Sequence, residues 1–132
     1  MYHFSNTSIQ KLDTCDAHII LVANHVIRHF DFTVIWGYRG EEDQNECFAN
    51  GTSTKQFPDS FHNVYPSKAI DIVPWPIDWD DLDRFYYLAG LWRGYGKALG
   101  IEFIWGNDWN NNNIFTREPG DILDDMGHLQ LA

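Results

Sequence analysis

Residues 60–76 read SFHNVYPSKAIDIVPWP, and the second half of this stretch decides the fold. The segment KAIDIV has the branched apolar residues of a strand, and the prolines after it cannot donate to a ladder, so they end it. Asp71 interrupts the apolar run. Because successive side chains of a strand point to opposite faces, Ile70 and Ile72 can fill the core while Asp71 faces a cleft. An unpaired buried carboxylate is costly, so we expect Asp71 to bind a cation.

Helices and strands alternate on both sides of this segment. Periodic apolar residues and capping residues predict four helices, and branched or aromatic runs predict four strands. The predicted helices run from Ser5 or Asn6 to Leu12, from Asp16 to Phe30, over EEDQNECFANG at 41–51, and from about Asp80 to Leu99. The predicted strands are FTVIWGYR from Phe32, KAIDIV, IEFIWG at 101–106 and HLQL at 128–131. This order indicates an α+β fold of one domain, residues 1–132, with helices packed on a small, mainly antiparallel sheet.

The longest predicted helix contains three glycines, Gly90, Gly94 and Gly96. Glycine lowers helix propensity, so these positions weaken the helix. We expect them to allow close packing against neighbouring elements.

The charge of the chain excludes two classes of partner. The 132 residues include 19 acidic and 9 basic side chains, for a net charge of −10. Such a surface repels nucleic acids and anionic membranes, and no apolar run approaches the roughly 20 residues of a membrane span. The first residues, MYHFSNTSIQKLD, have no basic segment followed by an apolar core, so we expect no secretory signal peptide. We expect the two cysteines, Cys15 and Cys47, to be reduced thiols.

A zinc site would explain the aspartate in the strand. Catalytic zinc takes three ligands from imidazole nitrogens and carboxylate oxygens and keeps one position open. His62 and Asp71 are two candidates, and His128 in DDMGHLQL is a distant third. Each residue has a simpler explanation, because a lone histidine is commonly a surface or core residue and an aspartate commonly marks an edge or turn. The helical H-E-x-x-H signature is absent, so spacing alone does not establish the site.

The sequence motifs around these residues resemble those of one known family. The motifs are S-x-H-N-x-x-P-S-x-A-x-D-x-x-P-x-P-x-D-W at 60–79, G-Y-R at 37–39 with Glu42 and Gln44 following, W-G-x-D-W at 105–109 and D-x-x-H at 125–128. Together they resemble the D-alanyl-D-alanine carboxypeptidase-like zinc peptidases, in particular the small phage endolysins that act as L-alanyl-D-glutamate peptidases. The resemblance runs from about Phe4 to Leu131 and implies the single-domain fold of hedgehog and D,D-peptidase domains.

The resemblance implies a role for each matching residue. His62, Asp71 and His128 match the three ligands of a zinc ion (Zn²⁺). Asp125, three residues before the last ligand, matches the general acid/base, which can pass a proton from water to the leaving amine. Its neighbour Asp124 is the alternative base, and the D-x-x-H spacing favours Asp125.

A second catalytic residue is implied at the substrate. Arg39 matches the family's arginine, where a fixed cation can stabilise the oxyanion or a substrate carboxylate. The chain departs from the family pattern at Phe61, where lysine is usual, and at Ile104 and Asn107, where arginine and glycine are usual. These changes concern substrate preference and the shape of the cleft more than activity, since none removes a ligand or the base.

The function that the resemblance implies is a zinc endopeptidase that cuts the L-alanyl-D-glutamate bond of the peptidoglycan stem peptide. As a phage endolysin it would be a monomer, made in the host cytoplasm and acting on the cell wall after release. The alternatives are a D,D-carboxypeptidase or dipeptidase trimming terminal D-alanine, a non-catalytic zinc-stabilised binding domain, and a phage-tail component that digests the wall during entry.

Overall fold

The computed structural model describes residues 1–115 and 125–132, which form four α-helices and one four-stranded antiparallel sheet. The helices are α1 (Asn6–Leu12), α2 (Ala17–Val26), α3 (Glu41–Ala49) and α4 (Leu82–Ala98), with a 3-10 helix at Phe61–Asn63. The strands are β1 (Phe32–Trp36), β2 (Ala69–Pro74), β3 (Phe103–Gly106) and β4 (Asp125–Leu131). The predicted α+β class with an antiparallel sheet is therefore confirmed.

The strand that contains Asp71 lies inside the sheet, whose order is β1-β2-β4-β3. Both neighbours of β2 run antiparallel to it, and Asp71 pairs directly with His128 of β4. Ile70 and Ile72 enter the apolar core, as the alternation of side chains predicts. The core also takes residues from α1, α2 and α4, among them Leu12, Ile19, Val22, Leu88 and Trp92.

The second helix is shorter than predicted. It begins at Ala17, because Asp16 is its N-cap and accepts a hydrogen bond from the backbone N–H of His18. It ends at Val26, and the predicted extension to Phe30 is wrong. The backbone N–H groups of His29 and Phe30 both bond to the carbonyl of Val26, so the chain closes in a tight turn instead of continuing.

The three glycines of α4 have different surroundings. A Cβ at Gly96 would lie 2.8 Å from the carbonyl oxygen of Ile101 and 2.9 Å from the Phe103 ring, so here the missing side chain does allow close packing. A Cβ at Gly90 or Gly94 would meet no atom within 4 Å. For these two positions the expectation of close packing is wrong, since they face open space.

The last strand begins three residues earlier than predicted, at Asp125 rather than at His128. Its register against β3 shifts: Trp105 pairs with Leu129, whereas Gly106 pairs with Asp125. In a regular strand two residues three apart face opposite sides. Because of the irregularity, Asp125 and His128 face the same side of the sheet, and the carboxylate of Asp125 comes within 3.9 Å of the His128 ring.

Two further features of the structure concern the predicted absence of a membrane span and the predicted state of the two cysteines. None of the helices in residues 1–115 and 125–132 is long and apolar enough to cross a membrane. Both cysteines are free thiols; Cys15 is buried in the core and Cys47 is half-buried on α3.

Candidate active site

Three of the residues singled out in the sequence meet at one point. His62 comes from the 3-10 helix, Asp71 from β2 and His128 from β4. One nitrogen or oxygen atom from each lies within 4.8 Å of the other two. Both histidines are buried, and the side chain of Asp71 is 19% exposed, so the cluster lies at the bottom of a cleft.

The 3-10 helix fixes the direction of His62. The Oγ atom of Ser60 caps this helix by accepting a hydrogen bond from the backbone N–H of His62, and Oδ1 of Asn63 accepts one from the backbone N–H of Ser60. The Nδ1 atom of His62 lies 2.8 Å from the carbonyl oxygen of Gly37. Because a carbonyl only accepts, Nδ1 carries the proton, and Nε2 presents its lone pair to the cleft.

The side chain of Gln130 fixes the direction of the His128 ring, as the Gly37 carbonyl does for His62. The Oε1 atom of Gln130 lies 2.9 Å from Nε2 of His128, so Nε2 donates and Nδ1 is the ring nitrogen that faces Asp71. This Nδ1 atom is 2.9 Å from Oδ1 of Asp71. Metal-binding histidines characteristically donate their other N–H to an oxygen acceptor, which fixes the tautomer and the ring.

The three side chains fit a divalent cation. The Nε2 lone pair of His62 is 3.2 Å from Oδ2 of Asp71 and, within the described residues, this fully buried atom has no hydrogen-bond partner. A lone pair facing a carboxylate is unfavourable unless positive charge lies between them. Two imidazoles and one carboxylate are a ligand set that zinc accepts.

The electrostatics of the cluster also favour positive charge. Burial alone would raise the pKa of Asp71, but the neighbouring imidazoles of His62 and His128 hold that pKa well below its usual range. Burial alone would lower the pKa of His128, but the Asp71 carboxylate raises it above its ordinary value.

Asp125 lies beside the triad with a different environment. Burial in the cleft wall, together with the negative charge of Asp71, raises the pKa of Asp125 to about 6. A carboxyl with such a pKa can both accept and release a proton near neutral pH. Asp124, the alternative base, lies outside the described residues.

Arg39 approaches the same point from the loop after β1. Its Nη1 atom is 3.7 Å from Oδ2 of Asp71, and its guanidinium lies over the ring of Trp36 at 5.2 Å. Gln44 accepts a hydrogen bond from Nε of Arg39 at 2.8 Å, and Asn63 donates to the carbonyl of Arg39 at 2.9 Å. The side chain is 7% exposed, so Arg39 is held as a fixed cation at the floor of the cleft.

The cleft above these groups has a volume of about 370 Å³. Trp109 lies at the mouth, 42% exposed, with its ring 5.3 Å from that of His128. The lining also includes Phe61, one of the departures from the family pattern, and the segment 52–55. The other two departures, Ile104 and Asn107, are not among the residues that line it.

Sequence reasoning did not identify three supporting groups. They are the carbonyl of Gly37, the amide of Gln130 and the buried amide of Gln44, which was noted only as part of a motif. The first is a backbone atom, and the other two are glutamines whose partners lie close only after folding. The alternation of β4 carries a weak signal for Gln130, because it lies two residues after His128 and so on the same face.

Comparisons with known proteins agree on one family. The family described as phage L-alanyl-D-glutamate peptidase matches residues 1–132. The L-alanyl-D-glutamate peptidase of Escherichia phage T5 is 30% identical over 136 residues, which cover 99% of this chain and 98% of that protein. The crystal structure of the Serratia marcescens L-Ala D-Glu endopeptidase ChiX superposes with a TM-score of 0.76 at 25% identity, covering 98% of this chain and 89% of that one.

Proposed function

The chain belongs to the phage L-alanyl-D-glutamate peptidase family, and from that premise we propose that it is a zinc-dependent endolysin. Its substrate is the peptidoglycan stem peptide, which it hydrolyses at the L-alanyl-D-glutamate bond. The observation that carries the zinc proposal is the convergence of Nε2 of His62 and Nδ1 of His128 on the carboxylate of Asp71, with the buried His62 nitrogen unpartnered among the described residues.

The metal ligands in this proposal are His62 through Nε2, Asp71 through its carboxylate and His128 through Nδ1. When bound, zinc supplies Lewis acidity to the scissile carbonyl and to the attacking water. Gly37 and Gln130 keep the two rings in the tautomers that leave these nitrogens free to bind.

Asp125 moves the proton. As the carboxylate it accepts a proton from the attacking water, and as the acid it donates that proton to the amine nitrogen of the departing D-glutamate. The register shift of β4 supports the assignment, since it places this carboxylate beside His128.

Arg39 stabilises negative charge on the scissile carbonyl oxygen as the tetrahedral centre forms. Its guanidinium is fixed before substrate arrives, by Gln44 at Nε and by the Trp36 ring beneath it. A cation that needs no reorganisation during the reaction stabilises a transition state more than a mobile one does.

The site of action in this proposal is the wall of the phage's bacterial host, reached after release from the cytoplasm in which the protein is made. The protein acts as a monomer of one catalytic domain. Its net charge of −10 disfavours attraction to anionic wall polymers, so substrate affinity comes from the cleft.

Metal content and chelation test the proposal. The purified protein is expected to hold about one zinc per chain, and a chelator is expected to abolish its lysis of permeabilised cells until zinc is added back. A His62→Ala/His128→Ala double variant is the control and is expected to lose the zinc. Full zinc content in that variant would refute the ligand assignment, and undiminished lysis after complete removal of metal would refute the mechanism.

A further inference from the structure

One wall of the cleft, residues 52–55, is fixed by a single buried side chain. Gln44 is fully buried and is the only buried residue of α3. Its Nε2 atom donates to Oγ of Ser53 at 3.0 Å and to the carbonyl oxygen of Lys55 at 2.7 Å. Its Oε1 atom accepts from Nε of Arg39 at 2.8 Å. One amide therefore positions both Arg39 and the backbone that carries Lys55.

Within the described residues, one arginine and one lysine line the cleft, Arg39 and Lys55. The two side chains differ in their exposure and in the contacts that hold them. Arg39 is buried, and its guanidinium is held at the floor of the cleft, 3.7 Å from the Asp71 carboxylate. Lys55 is exposed, and its backbone N–H is anchored to Oγ of Ser53 at 3.1 Å. A lysine on a fixed backbone offers a mobile ammonium to a substrate that enters the cleft.

The substrate of the proposed function carries an anion close to the bond that is cut. Glutamate has two carboxyl groups and one amine. When the amine is joined to L-alanine and one carboxyl continues the stem peptide, the other carboxyl stays free beside the scissile bond. In a protein of net charge −10, a cation on the cleft wall is the group that would attract this carboxylate.

We propose that Lys55 binds the free carboxylate of the D-glutamate unit and makes the enzyme select stem peptides with that carboxylate over those in which it is a carboxamide. Arg39 then stays available for the scissile carbonyl oxygen. Each cation therefore stabilises one negative charge, Lys55 the substrate carboxylate and Arg39 the oxyanion. This inference rests on the proposed function and specifies the substrate within it.

The test compares two synthetic stem peptides, one with the free carboxylate and one with the carboxamide, as substrates of the zinc-loaded protein. The unsubstituted protein is expected to show a kcat/KM about tenfold higher for the carboxylate peptide, the scale of a charge-assisted hydrogen bond. In Lys55→Gln this preference is expected to fall close to one, through loss on the carboxylate peptide alone. In Lys55→Glu the preference is expected to reverse.

Lys97→Gln is the matched control, because it removes the same charge from an exposed position on α4 that does not line the cleft. It is expected to keep the full preference, and thermal melting is expected to show all variants folded. If Lys55→Gln keeps the preference, or if the unsubstituted protein cuts both peptides equally well, the role of Lys55 is refuted and the proposed function stands. If the protein cuts neither peptide at the alanyl-glutamate bond, the proposed function itself is refuted.

Discussion

At the scale of single residues, the contrast between Asp71 and Asp125 is the most informative feature of the cleft. Asp71 faces two imidazoles, which hold its pKa low, so it stays charged and suits a metal. Asp125 faces Asp71 from a half-buried position, which raises its pKa, so it suits proton transfer. Two carboxylates in one cleft thus have pKa values shifted in opposite directions by their neighbours.

Replacing Asp125 separates chemistry from metal binding. Asp125→Ala is expected to keep its zinc and its melting temperature but to lower kcat by on the order of 10²–10⁴-fold, because it removes the proposed proton acceptor. Steady-state kinetics with metal analysis on the same sample measures both. Asp124→Ala is the control and is expected to have a much smaller effect; if the two effects are reversed, Asp124 is the base.

Gln130 is expected to matter for affinity rather than for folding. Gln130→Leu removes the acceptor at Nε2 of His128, so the ring can adopt the tautomer whose Nδ1 cannot bind metal. Zinc affinity, measured by competition with a chelator, is expected to fall about 10–100-fold. Gln130→Glu keeps an oxygen acceptor and is expected to keep most of the affinity; equal losses in the two variants would contradict the positioning role.

The sequence identified the triad by motif, and the structure brings His62, Asp71 and His128 together. The supporting amides of Gln44 and Gln130 could not be identified in the same way. Glutamine has no distinctive spacing, and its partners here are a carbonyl, a guanidinium and an imidazole that approach only in the folded chain.

At the scale of elements, the sheet was predictable because Asp71 and its apolar neighbours fit only a strand with one polar position. The irregularity in β4 was not predictable. Pairing between Gly106 and Asp125 depends on close backbone approach, and a Cβ at Gly106 would overlap the carbonyl oxygen of Asp125. A single sequence does not reveal such a contact, so the strand was predicted to begin too late.

Alanine substitutions at two glycines of α4 are expected to change the free energy of unfolding in opposite directions. Gly94→Ala is expected to stabilise the protein by about 0.5–1 kcal/mol, because it improves helix propensity and its Cβ meets open space. Gly96→Ala is expected to destabilise it by about 1–3 kcal/mol, because its Cβ would press on Ile101 and Phe103. Chemical denaturation measures the free energy of unfolding of both variants, and a change of the same sign in both would contradict the packing described here.

At the scale of the whole molecule, charge and fold have separate consequences. The net charge of −10 opposes the binding of polyanions to the surface, while Arg39 and Lys55 both line the cleft that contains the triad. We therefore expect recognition to take place in the cleft, where the sheet supplies Asp71 and His128 and the loops supply the cations. The repulsion of polyanions stays a prediction from composition, whereas the position of the two cations in one cleft is visible only in the folded arrangement.

The identity of the bond that is cut tests the central claim most directly. Purified peptidoglycan is digested with the zinc-loaded protein, and mass spectrometry identifies the new chain ends. The expected result is new N-terminal D-glutamate with intact glycan strands, because one metal and one acid/base carboxylate are arranged to hydrolyse an amide rather than a glycosidic bond. Release of free D-alanine without new D-glutamate ends, or release of reducing sugar, would contradict the account.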